Sequence, residues 1–137
     1  MGPAKFLRLT DPDGQVGDLH LATVVVNVRD MQRGVRFWEA VLGYQRREPT
    51  WDPEFMMLVD PDGKGCPVSL QLTDSHPKEP VRVHLDLYTA EQDRHVERLV
   101  ALGATRVEDW PYPDDCDFIV LRDPDGNEFC VIDHAPL

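Results

Sequence analysis

The chain twice follows a strand-like alternation of apolar and polar positions with an apolar stripe of helical period. From Leu19 to Val28 the residues are rich in β-branched side chains, with Ala22, Val24, Val26 and Val28 on one face and Thr23, Val25 and Asn27 on the other. This predicts a strand. Asp30 is then suited to cap a helix, and Gly34, Phe37, Trp38, Val41 and Leu42 recur at the spacing of one helical face, which Gly43 ends in the left-handed conformation. Short strands follow near Tyr44–Arg47, Glu54–Asp60 and Pro67–Thr73, with Pro61-Asp62-Gly63 turning between the last two. The predicted unit is βαβββ.

The same order recurs downstream. A strand over Val81–Tyr88 leads to a helix over Ala90–Leu102, opened by a capping box from Thr89 to Gln92. Strands follow near Ala104–Glu108, Asp117–Arg122 and Asn127–Asp133. Other features mark an internal repeat of about sixty residues: Asp-Pro-Asp-Gly at 60–63 and 123–126, Val41-Leu42-Gly43 against Ala101-Leu102-Gly103, and proline-flanked Trp51 against Trp110. The Asp-Pro-Asp-Gly sites are turns rather than calcium loops, because each offers only two carboxylates without the regular ligand spacing. The expected organisation is an extension over 1–18, then one α+β domain over 19–137 with modules at about 19–73 and 81–134, joined by a polar linker over Thr73–Pro80.

Strand parity separates two faces. Val24, Val26, Leu70, Leu72, Leu85, Leu87, Phe129 and Val131 form an apolar face that should pack under the helices, whose own stripe makes Phe37 and Trp38 core residues. Thr23, Asn27, Ser69, Gln71, His84, Asp86, Tyr88, Glu128 and Cys130 form the opposite face. That set is too polar for a dry core and so either meets water or lines a wet pocket. The aromatic, proline-stiffened loops around Trp51 and Trp110 are placed to rim such a pocket, and the run Phe55-Met56-Met57-Leu58 should send one pair of side chains into it as an apolar wall.

Composition narrows the function classes. The 137 residues carry 14 Lys and Arg against 25 Asp and Glu, a formal charge of −11, with no clustered basic patch, which argues against nucleic acid as a partner. No apolar run approaches a membrane span and the first ten residues lack a secretory pattern, so a cytoplasmic protein with no membrane partner is expected. Cys66, Cys116 and Cys130 have spacings that fit neither a disulfide framework nor a C-x-x-C site.

Several motifs together resemble a known group. Thr23 to Asp30, Phe37-Trp38 with Val41-Leu42-Gly43, His84-Leu85-Asp86 with Leu102-Gly103-Ala104, and Leu121 to Glu128 are similar to the vicinal oxygen chelate superfamily of glyoxalase I, bleomycin-resistance proteins and extradiol dioxygenases, closest to its glyoxalase-like bacterial branch. The resemblance covers about residues 19–134. It implies two βαβββ modules whose mixed sheets form a cup with the helices outside, and commonly a homodimer. It also implies metal-ligand positions at Thr23, Gln71, His84 and Cys130. Without a carboxylate these do not make a hard-cation site, so no cofactor is expected; a divalent metal would have to be a zinc-type ion on Gln71, His84 and Cys130.

The expected catalytic pair is His84 with Asp86. Two residues apart on one strand face, an imidazole and an orienting carboxylate can meet and serve as a general base without a metal; otherwise His84 serves only packing or hydrogen bonding. Thr23, Asn27, Gln71, Tyr88, Cys130, Trp51 and Trp110 are the candidate ligand-binding residues, with Cys130 an inert thiol rather than a nucleophile. The expected function is small-molecule binding at a degraded metal site, as a metal-independent isomerase or lyase on a carbonyl compound. The alternatives are sequestration of a cationic antibiotic or toxin, as in bleomycin-resistance proteins, and metal-dependent lyase or dioxygenase chemistry.

Overall fold

A computed structural model of the chain describes residues 21–48, 52–76 and 83–134. The extension over 1–18, Trp51 and residues 77–80 of the linker lie outside the described residues. In the first module the valine-rich segment forms β1 (Val24–Val28), followed by α1 (Met31–Leu42), β2 (Gln45–Arg46), β3 (Phe55–Val59) and β4 (Val68–Leu72). The Asp30 side chain accepts the backbone N–H of Arg33 at 3.0 Å, and Gly43 closes the helix at φ 69°. In the second module β5 (Leu85–Thr89), α2 (Gln92–Ala101), β6 (Thr105–Arg106), β7 (Phe118–Arg122) and β8 (Glu128–Asp133) repeat the order.

Each module folds its strands into a four-stranded mixed sheet, β1-β4-β3-β2 in the first and β5-β8-β7-β6 in the second. The first and last strands of each module pair in parallel, β1 on β4 and β5 on β8, and the others pair antiparallel. The expected α+β architecture of two βαβββ modules is therefore present. The paired Asp-Pro-Asp-Gly sites are turns, with Gly63 and Gly126 at φ 70° and 90°.

One apolar cluster runs through both modules. Val28, Phe37, Trp38, Leu58 and Leu70 from the first join Val96, Leu99, Leu121, Phe129 and Val131 from the second. Trp38 sits edge-on to Phe129 at 5.1 Å between ring centroids, so α1 reaches across to the second sheet. Gly34 lets α1 approach β1 closely: a Cβ there would lie 2.9 Å from Val28 Cγ1.

Two local expectations are corrected. Thr89 and Gln92 do not form a capping box; α2 starts at Gln92 after Glu91, which makes no side-chain cap. Thr89 Oγ1 instead accepts the N–H of Glu91, and the Gln92 amide donates to the carbonyls of Asp117 and Val131 at 2.9 and 3.0 Å. Two hydrogen bonds to sheet carbonyls outweigh the one that the Gln92 side chain would make to an exposed N–H at the helix start. Leu72, placed on the apolar face, is 37% exposed at the C-terminal end of β4.

Candidate functional site

On the face of the first sheet away from α1, register sets Asn27, Gln71 and Phe55 in one row and Val25, Ser69 and Met57 in the next, with Thr23 just ahead of β1. Leu58 is fully buried in the core and Met56 packs against it, so Phe55 and Met57 are the pair that turns to the open face as its apolar wall. Arg47 continues β2 over Met57, its guanidinium 3.6 Å from the sulfur. Ser69 is not wet: it is fully buried, with its hydroxyl 2.8 Å from that of Thr23, which also donates to the Pro67 carbonyl. Gln71 donates its amide to the Glu54 carbonyl at 3.2 Å.

The second sheet carries an imidazole, a carboxylate and a thiol on one face. His84 leads into β5, and Asp86 on the same face lies in register with Cys130 of β8 and, beyond it, Val120 of β7. His84 Nε2 stands 3.0 Å from Asp86 Oδ1, both side chains half exposed. Ligand atoms of His84, Asp86 and Cys130 all lie within 4.8 Å of one another. Burial pushes the Cys130 thiol up to about 11, assisted by the negative charges of Asp86 and Glu128, so the sulfur keeps its proton at neutral pH. Glu128 in turn pairs with Arg122 at 3.1 Å. Tyr88 continues the row as an exposed ring stacked on His134 at 4.4 Å.

Where the two modules meet, a cavity of about 150 Å³ opens between β1 and the start of β5 and β8, lined among others by Val25, Asn27, His84, Asn127 and Glu128. Asn127 fastens this seam by donating its amide to the Asn27 carbonyl at 2.7 Å. The expected residues thus divide into three groups. His84, Asp86 and Cys130 converge, Asn27 and His84 share the seam cavity, and Thr23 and Gln71 stand on the first sheet, the Thr23 hydroxyl and the Gln71 amide nitrogen already engaged. Trp110 is partly buried in its loop, but Tyr112 is what anchors that loop: its hydroxyl donates to the Val107 carbonyl at 2.6 Å and accepts the N–H of Val120 at 3.0 Å.

Two contributors escape the sequence pattern. Parity puts Glu128 on the right face without giving it a role, and its part in the cavity and in the field at Cys130 follows from the β5–β8 register. The Asp-Pro-Asp-Gly site at 123–126 has only a turn's signature. Yet Asp123 accepts the Trp38 indole N–H at 3.1 Å, while Asp125 Oδ1 accepts the Arg29 backbone N–H and an Arg33 guanidinium N–H, each at 2.7 Å. This turn locks the second module to the first and frames the seam.

The metal-ligand positions implied by the resemblance do not fit a hard cation. The Thr23 hydroxyl is spent on Pro67 and Ser69, Gln71 offers only a neutral amide oxygen while its amide nitrogen donates to Glu54, and Cys130 is a protonated thiol. Hard divalent ions require several oxygen donors, preferably carboxylates, which this set lacks.

Comparison with known proteins agrees with the fold. The structure resembles a glyoxalase/bleomycin resistance protein/dioxygenase family enzyme from Burkholderia phytofirmans PsJN, with 21% identity, 82% of this chain and 97% of that one covered, and a TM-score of 0.65. It also resembles a point mutant of the genomically encoded fosfomycin resistance protein FosX from Listeria monocytogenes, complexed with Mn(II) and 1S,2S-dihydroxypropylphosphonic acid, at 18% identity, 85% and 90% coverage and a TM-score of 0.67. A superfamily member from Sphaerobacter thermophilus matches at 22% identity, 83% and 96% coverage and a TM-score of 0.61. No curated protein matches by sequence. The profile of the glyoxalase-like domain matches residues 23–132, nearly the whole of both modules, and the chain belongs to the glyoxalase-like domain family.

Proposed function

We propose that this protein binds a small carbonyl compound at the seam between its modules and moves a proton on it without a metal, as an isomerase or lyase. The contact of His84 with Asp86 at 3.0 Å, beside the seam cavity, carries the reading. A carboxylate only accepts, so in the neutral ring the shared proton sits on Nε2 and the lone pair on Nδ1, the atom that would take a proton from carbon α to the carbonyl. The Asn27, Asn127 and Glu128 side of the cavity offers polar partners, while Val25 gives it an apolar wall. A cavity of about 150 Å³ is below the roughly 300–1,000 Å³ of sites for drug-sized ligands, which favours a small metabolite over sequestration of a bulky antibiotic. The reading includes a cytoplasmic location and a homodimer, the latter supported by the exposed apolar side chains of Leu21 and Tyr88, which lie outside the cavity lining.

The test is exchange of the carbon-bound proton of small α-hydroxy ketones and β-keto acids in deuterated buffer, followed by proton NMR with chelator-treated protein. Exchange should persist without metal and fall by roughly 10²–10⁴-fold in His84→Ala. Asp86→Asn should lose less, because the base remains but is no longer oriented. Exchange undiminished in folded His84→Ala, or present only after a divalent ion is restored, would refute the proposal.

A further inference from the structure

On the helix side of the first sheet, away from its open face, α1 and the β2–β3 edge leave a cavity of about 250 Å³ between them. We propose that this cavity is a second ligand site, separate from the seam, which takes a small monocarboxylate bearing an apolar chain or ring. The inference does not rest on the catalytic reading above.

Helix and strand geometry place the cavity. Met31, Val35 and Glu39 succeed one another at steps of four residues along one stripe of α1, with Arg36 beside them. Opposite, Arg46 of β2 and Met56 of β3 share the helix side of the sheet, because Arg46 is in register with buried Leu58 and Met56 with buried Leu70. β2 is two residues long and forms the edge of its sheet, so no further strand fills the space beside the helix. The floor is apolar: Val35 belongs to the core cluster, and Met31 and Met56 pack against it. Unbranched thioether side chains adapt to the shape of an inserted chain or ring.

Two guanidinium groups line the same cavity, and neither is committed to a strong partner. Among the described residues, the exposed Arg36 side chain makes no ion pair or hydrogen bond. Arg46 only approaches Glu39, Nε to Oε1 at 3.9 Å with the arginine half exposed, which is too long for a hydrogen bond and worth little in water. In a chain of net charge −11, two cations against one carboxylate leave a local excess of positive charge at an apolar cavity. That excess complements a single negative charge. A guanidinium presents parallel N–H groups to the two oxygens of a carboxylate, whereas a phosphate dianion beside Glu39 would leave the site negative. The volume of about 250 Å³ lies below the roughly 300–1,000 Å³ of sites for drug-sized ligands, so the occupant is a small molecule rather than a peptide segment.

The test uses the full chain, isotope-labelled at its methionine methyl groups and titrated with octanoate, with octanamide and octyl phosphate as neutral and dianionic comparisons. Octanoate should shift the Met31 and Met56 methyl signals and leave that of Met57, on the opposite face of β3, in place. Calorimetry should give one octanoate per chain, with octanamide and octyl phosphate weaker. Arg36→Gln and Arg46→Gln should each lower octanoate affinity by roughly 3–10-fold, and Arg47→Gln, on the other face of β2, should not change it. Gln32→Trp sends a ring into the cavity from an exposed helix position and should abolish binding. Circular dichroism establishes that each variant is folded. No octanoate uptake by the wild type, shifts at Met57 in place of Met31 and Met56, affinity unaltered in both arginine variants or in Gln32→Trp, or tighter binding of octyl phosphate would each overturn the proposal. So would a different occupant: methyl shifts that follow protein concentration without octanoate would give the cavity to a second copy, and nuclear Overhauser contacts of Met31 and Met56 with residues 1–20 would give it to the chain's own first segment.

Discussion

Cys130 illustrates how the setting of one side chain decides its chemistry. Its thiol is pushed up to about 11 by burial and by the charges of Asp86 and Glu128, so its contribution to stability is present below the ordinary thiol range and is lost as pH rises through about 11. Alkylation with iodoacetamide at pH 8, mapped by mass spectrometry, should therefore label exposed Cys66 first and Cys130 last, with Cys130 labelling accelerating toward pH 11. Asp86→Asn removes one of the two charges and should speed Cys130 labelling at pH 8. Equal rates in wild type and variant would contradict this account of the sulfur. Asp123 shows the same sign by a different balance: burial raises its carboxyl although Asn127, Trp38 and Asp125 donate hydrogen bonds to it. Its stabilising contribution is full below the ordinary carboxyl range and is lost as pH climbs through its native value. Carboxyl carbon NMR should place the Asp123 midpoint above that of Asp60, whose carboxylate accepts three turn N–H groups and is lowered.

Helix α1 is held against its sheet by a missing side chain. Alanine in place of glycine favours a helix by about 1 kcal/mol, but a Cβ at position 34 would meet Val28 Cγ1 at 2.9 Å, and Val28 is fully buried and stiff at χ1. Overpacking a core contact costs roughly 1–3 kcal/mol, so the clash outweighs the propensity gain. Gly34→Ala should lower the urea midpoint by an amount equivalent to about 1 kcal/mol. A raised midpoint would show that β1 can yield. Helix α2 needs a different anchor, since its start has no side-chain cap; the Gln92 amide ties its first turn to the carbonyls of Asp117 and Val131. The helix is thereby positioned over β8, which carries Cys130.

The two modules act as one body because α1 and the Asp-Pro-Asp-Gly turn at 123–126 interlock. Trp38 is buried against Phe129 and bonds Asp123, while Asp125 holds Arg29 and Arg33. The Arg98 guanidinium adds bonds to the Ala40 and Val41 carbonyls at the other end of α1. Asp125→Ala leaves the Arg29 N–H without its acceptor and Arg33 without its partner. Because Arg33 is partly solvated, the expected cost is about 1–3 kcal/mol rather than that of a fully buried pair. Chemical denaturation should show a single transition at lower midpoint. An unaltered midpoint would mean that the apolar cluster alone joins the modules.

Local pattern was enough to reveal the repeat, the βαβββ order, the two faces and the meeting of His84 with Asp86, because alternation on a strand fixes which neighbours share a side. It also marked Phe37 and Trp38 as core. It could not show that Cys130 completes a triad with them, since that depends on the parallel register of β5 with β8. Nor could it show that Thr23 seals Ser69, that Gln71 is engaged by Glu54, or that an ordinary turn at Asp123–Gly126 clamps a helix some ninety residues earlier in the chain. Periodicity reports the side to which a residue points, whereas register and packing between distant segments determine what it meets there. The fold and the polar face of its sheets were therefore set by local sequence, and what meets on that face by tertiary structure.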